Sequence, residues 1–386
     1  MAEDRAISFL RPIKLAVVFG TRPEAIKLAP VIRELENRKQ NVVKISTGQH
    51  QSLLWQALDY FEVVADHDLG AMREGQSLPD LLARIVADCA SILQREAPDA
   101  VIVQGDTATA LGSGLAAYFS GIQVAHVEAG LRTFDDENPF PEEANRSMLA
   151  RVSHWHFCPT EGAKENLLRE GIAEAQIYVT GNTIVDALQW GRAKALRRSN
   201  GSLRDRLASS LNVPREAVER FVLVTSHRRE NFGAPLADIC TAICELESRR
   251  EDLRIIWPVH LNPQVQSQVE QIVHHCGPRL FQVGPLKYET MLALLESCAF
   301  ILTDSGGIQE EAAVFHKPVL IMRKATERPE IVASGGGMLV GTAPEAILSA
   351  ANRLLDDQAF YQRMSASPNP FGDGHAAERI TATLLQ

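Results

Sequence analysis

The sequence predicts an α/β protein of two domains, each built on a doubly wound parallel sheet. Short apolar runs, of the kind found in strands buried on both faces, recur along the chain, and most lead through a turn into a helical segment. The alternation pauses in a polar stretch near the middle of the chain and then resumes. At 386 residues the chain is also too long for one ordinary hydrophobic core.

The first apolar run is Lys-Leu-Ala-Val-Val-Phe, residues 14–19, and a Gly-Thr turn connects it to a predicted helix. Pro23 suits the start of that helix, where its missing N–H removes no hydrogen bond. Arg22 and Lys27 lie at or near the same helix start, where a cation is poorly matched to the helix dipole unless an anion lies nearby. This mismatch favours an anion site over a solvated helix face.

The remaining elements follow the same pattern. Further strands of the first half are predicted at 42–46, 100–103, 123–127, 154–158 and 177–180. Helices of the first half are predicted at 51–61, 78–95 and 160–170, and another begins at 142. Strands of the second half are predicted at 221–225, 254–258, 280–283, 300–303 and 318–322.

A predicted helix at 181–194 and an Arg-, Ser- and Asn-rich segment at 195–214 separate the two halves. We assign residues 1–184 to the first domain and 185–365 to the second, and expect a C-terminal helix at about 366–386 to pack back on the first. Two such domains imply a cleft, in which strand-end loops of both domains converge on one ligand.

Composition restricts the possible partners. The chain is 45% hydrophobic and 23% charged, as in soluble globular proteins, and its net charge is −9. Broad affinity for nucleic acid or for an acidic membrane is therefore not expected, and a phosphate site needs a local basic cluster. The acidic N-terminus does not resemble a secretory signal. An uncharged stretch between Asp106 and Glu128 is interrupted by glycines, which favours a buried helix and strand over a membrane span.

Six cysteines are scattered along the chain without a Cys-x-x-Cys pair, a pattern that predicts reduced thiols in a cytoplasmic protein. Cys240 and Cys244 share a helix face, for which core packing is the favoured interpretation. The histidine pairs lack companion ligands at metal spacing, so no metal is expected. No dinucleotide-binding, Walker A or nucleophile-elbow signature is present.

One turn in the second half has the features of a phosphate site. Ser305, Gly306 and Gly307 lie between a predicted strand and a predicted helix. Helix N–H groups, the positive end of the helix dipole and glycines without a Cβ favour an anion there. Glu311, one turn into the helix, is suited to accept hydrogen bonds from ribose hydroxyls. A turn that needs glycine for backbone geometry alone is an equally good interpretation of this stretch by itself.

Three carboxylates, Asp106, Glu128 and Glu142, lie on or just after strand-end loops of the first half. Such loops share one edge of a parallel sheet, so the three can face one crevice and serve in acid–base chemistry. Asp106 and Glu142 are also placed where a residue can cap a helix, and for each acid alone capping is the favoured interpretation.

His227 follows the first strand of the second half and precedes two arginines, which indicates anion contact and a titratable group. Without a metal, a nucleotide diphosphate must be neutralised by side chains and helix ends. Arg22, Lys27, His227 and the turn at Ser305 are the groups available for this purpose.

Several stretches together closely resemble the non-hydrolysing UDP-N-acetylglucosamine 2-epimerases of bacteria. The resemblance extends in order from about residue 14 to 380. The matching motifs are residues 19–27, 105–107, 126–133, 141–146, 227–230, 258–263 and 303–311.

The resemblance implies a GT-B fold, two Rossmann-like domains with an interdomain active site, and a cytoplasmic homodimer. It implies interconversion of UDP-GlcNAc and UDP-ManNAc without NAD or another cofactor, supplying sugars for bacterial surface glycans. The implied route is anti elimination of UDP to 2-acetamidoglucal, followed by re-addition of UDP. A glycosyltransferase of the same fold, a hydrolysing epimerase and a non-catalytic regulator that binds UDP-sugars are the alternatives.

Residues carried over by motif form three sets. The implied catalytic residues are Asp106, Glu128, Glu142 and His227. The implied UDP contacts are Arg22, Lys27, Ser305, Gly306, Gly307 and Glu311. Some relatives bind a second UDP-GlcNAc as an activator, and the matching residues here are Gln49, His50, Gln76 and His260. Gln51, Ser52 and Gly75 depart from that activator motif, so the sequence leaves allosteric activation by UDP-GlcNAc and its absence as open alternatives.

Overall fold

The computed structural model describes residues 13–49, 51–73, 75–137, 139–197, 203–259, 263–274, 276–284 and 286–386. These residues form two compact units. One unit ends at Ala187 and is completed by the last stretch, Phe371–Gln386. The other is the single stretch Leu188–Pro370.

The first unit is built on a parallel sheet with the strand order β3-β2-β1-β4-β5-β6-β7. Its strands are β1 (Lys14–Phe19), β2 (Asn41–Ser46), β3 (His67–Asp68), β4 (Ala100–Gln104), β5 (Gln123–Val127), β6 (Trp155–Cys158) and β7 (Ile177–Val179). Its helices are α1 (Arg22–Asn37), α2 (Gln51–Tyr60), α3 (Leu78–Glu96), α4 (Ala108–Phe119), α5 (Glu142–Val152), α6 (Glu161–Arg169), the start of α7 (Thr183–Arg197) and α16 (Ala376–Leu384).

The central strands are covered by helices on both faces, which explains their continuous apolar sequence. Every residue of β4 is buried, as are all but the first of β1. Against one face, α3 and α4 pack in a core that includes Ile85, Cys89 and Leu111. The uncharged stretch that the sequence analysis interpreted as a helix and a strand consists of α4 and β5.

The C-terminal helix α16 packs on α1 and belongs to the first unit. The carboxylate of Asp186 accepts hydrogen bonds from the backbone N–H groups of Ala376 (3.3 Å) and Ala377 (2.9 Å). The N–H of Asn182 donates to the carbonyl of Phe371 at 2.7 Å, and Ile380 is fully buried. The last residues of the chain therefore complete the core of its first part.

The second unit is built on a parallel sheet with the order β10-β9-β8-β11-β12-β13. Its strands are β8 (Phe221–Thr225), β9 (Arg254–Pro258), β10 (Leu280–Val283), β11 (Ile301–Thr303), β12 (Val319–Ile321) and β13 (Gly337–Leu339). Its helices are α8 (Leu203–Leu211), α9 (Ala234–Arg249), α10 (Pro263–Val273), α11 (Tyr288–Ser297), α12 (Gly306–Val314), α13 (Pro329–Ala333), α14 (Pro344–Asp356) and α15 (Gln358–Ser365).

In both sheets, successive strands are first added on one side of the first strand and then on its other side. The switch lies between β1 and β4 in the first sheet and between β8 and β11 in the second. Ligands of doubly wound sheets bind outside the carboxyl ends of the strands at this point. The predicted fold class is confirmed, although the sequence analysis missed β3 and β13. Over the described residues, no helix is long and apolar enough to cross a membrane.

The prediction that all six cysteines are reduced is wrong for one pair. Cys244 on α9 and Cys276 after α10 form a disulfide across a Cα–Cα distance of 4.9 Å. Their separation of 32 residues gives no short motif, so the sequence pattern did not reveal the pair. Cys240 is a free, buried thiol in the core, as the packing interpretation predicts.

Candidate functional site

Two of the predicted catalytic carboxylates leave the first sheet side by side. Gln104 at the end of β4 is the register partner of Val127 at the end of β5. Asp106 and Glu128 follow these partners by two residues and one residue. Because neighbouring strands lie about 4.8 Å apart, both residues emerge at the same edge, next to the switch between β1 and β4.

Asp106 is held by α5. Its carboxylate Oδ2 accepts from Arg146 Nε at 2.8 Å and lies 2.5 Å from Arg146 Nη2. Its backbone carbonyl accepts from Asn145 Nδ2 at 2.7 Å. The preceding carbonyl, of Gly105, accepts from His126 Nε2 at 2.8 Å. Burial lowers the pKa of His126 to about 3, so this buried ring is neutral and carries its proton on Nε2.

Glu128 is buried in a strained backbone conformation, with φ at +66°. Its Oε2 forms an ion pair with Lys27 of α1, which is also buried, and accepts from Asn182 Nδ2 at 3.0 Å. Non-glycine residues with positive φ are concentrated at functional sites, where surrounding contacts maintain the strain. The anion that the sequence analysis required beside Lys27 is Glu128.

Glu142 is the first residue of α5 and is half-buried. Its neighbour Glu143 is buried and accepts from the N–H groups of Thr133 (3.1 Å) and Phe134 (3.0 Å). The N-cap of α4 is Thr107 and the residue before α5 is Pro141. The capping interpretation of Asp106 and Glu142 is therefore wrong.

Glu24 is a carboxylate that the sequence analysis did not single out. It is buried on α1, where its Oε2 accepts from the N–H groups of Gly20 (2.7 Å) and Thr21 (2.8 Å). Burial raises the pKa of Glu24 to about 7, although these hydrogen bonds act against the shift. The available signal was the Thr-x-x-Glu spacing of a capping box, at residues 21–24. Arg22, between these two residues, is half-buried at the first position of α1.

The residues matched to an activator site are only partly described. Gln49 accepts a hydrogen bond from Thr109 Oγ1 at 2.9 Å, near the start of α4. Gln76 accepts from the N–H of Arg73 at 3.0 Å, in the segment before α3. His50 and His260 lie outside the described residues.

In the second unit, the buried carboxylate of Asp304 organises the loop after β8. It accepts from Ser226 Oγ (2.8 Å), from the N–H groups of His227 (3.0 Å) and Arg228 (3.1 Å), and from Asn231 Nδ2 (3.0 Å). Asp304 itself follows β11, so it joins the two strands at the switch point. His227 Nδ1 lies 3.6 Å from Asp304 Oδ1, and the imidazole is about one-third exposed.

The Ser305 turn is the N-terminus of α12. Ser305 is the N-cap residue, and its hydroxyl accepts from the N–H of Ile308 at 3.5 Å. Gly306 and Gly307 are the first two helical residues, and their N–H groups have no acceptor within the helix. A Cβ on Gly306 would lie 2.7 Å from Arg328 Nη1, whereas a Cβ on Gly307 would meet nothing within 4 Å. Close packing therefore explains Gly306, and open space lies beside Gly307.

Beneath this turn is a buried charge network centred on Glu327. Its carboxylate contacts Arg328 (2.6 Å), Arg323 (2.6 Å) and Arg228 (3.1 Å). Burial acts to raise the pKa of Glu327, but these three guanidinium groups together hold it well below its ordinary value. Arg328 also donates to the buried Glu310 at 2.8 Å, on α12 beside the half-buried Glu311. The network ties the loop after β8 and the segment after β12 to the first turns of α12.

The family of UDP-N-acetylglucosamine 2-epimerases matches residues 33–385 of this chain. The chain belongs to this family. A UDP-N-acetylglucosamine 2-epimerase of Escherichia coli (strain K12) is 44% identical over 374 residues, which cover 96% of this chain and 98% of that protein.

Two solved structures of 2-epimerases are also similar. That of the Neisseria meningitidis UDP-GlcNAc 2-epimerase bound to UDP-GlcNAc has a TM-score of 0.91 and 39% identity, and covers 97% of this chain and 100% of that one. That of the Methanocaldococcus jannaschii enzyme in complex with UDP-GlcNAc and UDP has a TM-score of 0.84 and 35% identity, and covers 96% of this chain and 99% of that one.

In this 2-epimerase family member, the residues predicted from motifs are placed in two groups. In the first unit, Asp106 contacts Arg146, and Glu128 forms an ion pair with Lys27. His227 and Ser305 flank Asp304 in the second. The residues that the sequence analysis missed are the buried supports, chiefly Asp304 and Glu327.

Proposed function

We propose that this chain interconverts UDP-GlcNAc and UDP-ManNAc by anti elimination of UDP and its re-addition. The observation that carries the proposal is the pair of carboxylates, Asp106 and Glu128, emerging side by side from β4 and β5. Each is held by a buried cation, Arg146 or Lys27. Family membership supports the reaction class, because the relatives are named for this epimerisation.

The chemistry requires two changes at neighbouring carbons of the sugar. The C2–H bond breaks with transfer of the proton to a base, the C1–O bond breaks, and its electrons leave with UDP, so that a C1–C2 double bond forms. An acid then returns a proton to the other face of C2, and UDP adds back to C1. We assign the proton transfers to the set of Asp106, Glu128 and Glu142 jointly. Carboxylates also stabilise positive charge that develops near C1 as the C1–O bond breaks.

Departure of UDP has to be stabilised as well, because a C2 proton beside an unbroken C1–O bond is a weak acid. We assign the diphosphate to the N-terminus of α12 at Ser305, Gly306 and Gly307, together with His227. Arg22 and Lys27 are the further UDP contacts that the resemblance implies, and Glu311 is assigned to the ribose hydroxyls.

The deciding experiment is incubation of the purified protein with UDP-GlcNAc in D2O, with no acceptor, NAD or metal added, followed by proton NMR. UDP-ManNAc accumulating with deuterium at C2 is the expected result. The variants D106N and E128Q should abolish both signals while keeping the native circular dichroism spectrum. E128Q should also be less stable than wild type, because it leaves the buried Lys27 without its anion. Release of free sugar would indicate a hydrolysing enzyme, and binding of UDP without turnover would indicate a regulator.

The resemblance also implies a homodimer in the cytoplasm, and we include both in the proposal. Sedimentation equilibrium of the purified chain should give twice the mass of 42.4 kDa. A monomer at working concentrations would remove the dimer from the proposal without affecting the assigned reaction.

A further inference from the structure

Glu24 connects the two loops of the first switch point. Its Oε2 accepts from the N–H groups of Gly20 and Thr21 and from Thr21 Oγ1 at 3.0 Å, all after β1. Its Oε1 accepts from Thr107 Oγ1, after β4. Both carboxylate oxygens therefore accept hydrogen bonds, and only 2% of the surface of Glu24 is exposed.

Thr107 makes two hydrogen bonds with different partners through its hydroxyl group. Its Oγ1 accepts from the N–H of Ala110 at 3.2 Å, as the N-cap of α4. A hydroxyl has one proton, and that proton is directed to Glu24. A capping box needs only the N–H of the N-cap residue, here Thr21. The bond from Thr107 is therefore additional to what is needed to start α1.

The segment Gly105–Thr107 is consequently held at each of its three residues by a different element. His126 of β5 binds the carbonyl of Gly105, α5 binds Asp106, and α1 binds Thr107. Gly105 has φ at +73°, and a Cβ there would meet nothing within 4 Å, so its neighbours do not fix this segment by packing. Hydrogen bonds set the position of Asp106.

We propose that Glu24 is a positioning residue for the reaction, acting on Asp106 through Thr107. The inference rests on the proposed function, because it concerns the turnover in which Asp106 takes part. Without the bond between Thr107 and Glu24, Asp106 keeps its contacts with Arg146 and Asn145 of α5, but the next residue, Thr107, loses its attachment to α1. A displacement of about 1 Å of a catalytic group can lower a rate by a factor of about 100.

The test compares T107V with T160V. Thr160 is the N-cap of α6 and accepts from the N–H of Ala163 at 3.1 Å, after strand β6 of the same sheet. Both substitutions remove a helix cap, but only T107V removes the link to Glu24. We expect T107V to lower kcat for epimerisation by about 10- to 100-fold with KM changed by less than about threefold. T160V should stay within about twofold of wild type, and T107S, which retains the hydroxyl, should restore kcat.

One further variant, E24D, covers the case in which T107V does not fold, and the double variant tests whether the two residues act through one link. E24D keeps a carboxyl group but is one methylene shorter, and should reduce kcat as T107V does. Combined, E24D and T107V should lower kcat no further than either alone, because both break one link. Equal kcat for T107V and T160V, or additive losses in the double variant, would overturn the inference while leaving the epimerase assignment intact. Wild-type protein without turnover would overturn the assignment and the inference together.

Discussion

Substitution of Gly307 by alanine should stabilise the protein and weaken its binding of UDP. Gly307 is the second residue of α12, its φ lies outside the range that favours glycine, and a Cβ there meets nothing within 4 Å. Replacing glycine by alanine at a compatible site adds about 0.4–1 kcal/mol to the free energy of unfolding, because the unfolded chain loses freedom. The added methyl group would occupy the space that the proposal gives to a phosphate.

The neighbouring position supplies the contrast. In G306A the Cβ would lie 2.7 Å from Arg328 Nη1 and 2.8 Å from Glu327 Oε1, inside the buried charge network. These side chains are anchored by Glu310 and Arg323, so the strain is not relieved by a free rotation. Overpacking of this kind costs about 1–3 kcal/mol. The two alanines should therefore shift stability in opposite directions.

Urea unfolding gives the two free energies, and calorimetric titration with UDP gives the dissociation constants. We expect at least about a tenfold increase of the UDP dissociation constant in G307A, equivalent to about 1.4 kcal/mol. G284A is the matched control, because Gly284 also has open space, lies after β10 at the edge of the same sheet and is remote in strand order from the switch. UDP binding by G307A as tight as that of wild type and G284A would refute a phosphate site at this turn.

Three further predictions concern buried groups. The pKa of Glu24 is raised by burial from 4.5 to about 7, so the native state binds a proton more tightly than the unfolded state does. On its own, this shift should lower the free energy of unfolding by about 3 kcal/mol from pH 4.5 to 7. The buried His126 acts in the opposite direction, because its pKa is lowered to about 3, so the contribution of Glu24 is obtained as the difference between wild type and E24Q in urea unfolding at each pH. K27M leaves the buried Glu128 without its cation and should lower the free energy of unfolding by about 3–5 kcal/mol in the same assay. The double variant K27M/E128Q should recover part of this loss. If the losses of K27M and E128Q simply added in the double variant, the pairing would be contradicted. Because Cys244 and Cys276 form a disulfide, the unfolded protein should have four titratable thiols before reduction and six after it. Reduction should lower the free energy of unfolding by roughly 3–4 kcal/mol, the value expected for a loop of 32 residues.

The strand positions were predictable because parallel strands buried on both faces have continuous apolar sequence. The runs at 14–19, 123–127 and 221–225 match the observed strands residue for residue. The missed strands lack this signal: β3 is His67–Asp68, and β13 is Gly337–Leu339 with only its first residue buried. Their extended form depends on pairing with β2 and β12, which a local pattern does not contain.

The candidate site was predictable where a reactive side chain lies directly after a strand, as for Asp106 and Glu128. It was not predictable where a side chain acts across the sheet. Asp304 accepts hydrogen bonds from a loop 73 to 78 residues earlier in the chain, and Glu327 accepts a hydrogen bond from an arginine 99 residues away. Sequence patterns reveal which charged groups are present at a loop, but pairing over such distances depends on the order of strands.

The two units become complete in an unusual order during synthesis. Domains commonly fold from the N-terminus as the chain emerges from the ribosome. Here the second unit is one continuous stretch, whereas the first requires Phe371–Gln386, which is synthesised after all of the second unit. Until α16 emerges, Asp186 has no Ala376 or Ala377 N–H to bind, and the surface of α1 that it covers is open to water. The first unit therefore cannot be completed until the whole of the second unit has been synthesised, although most of the first unit is translated earlier.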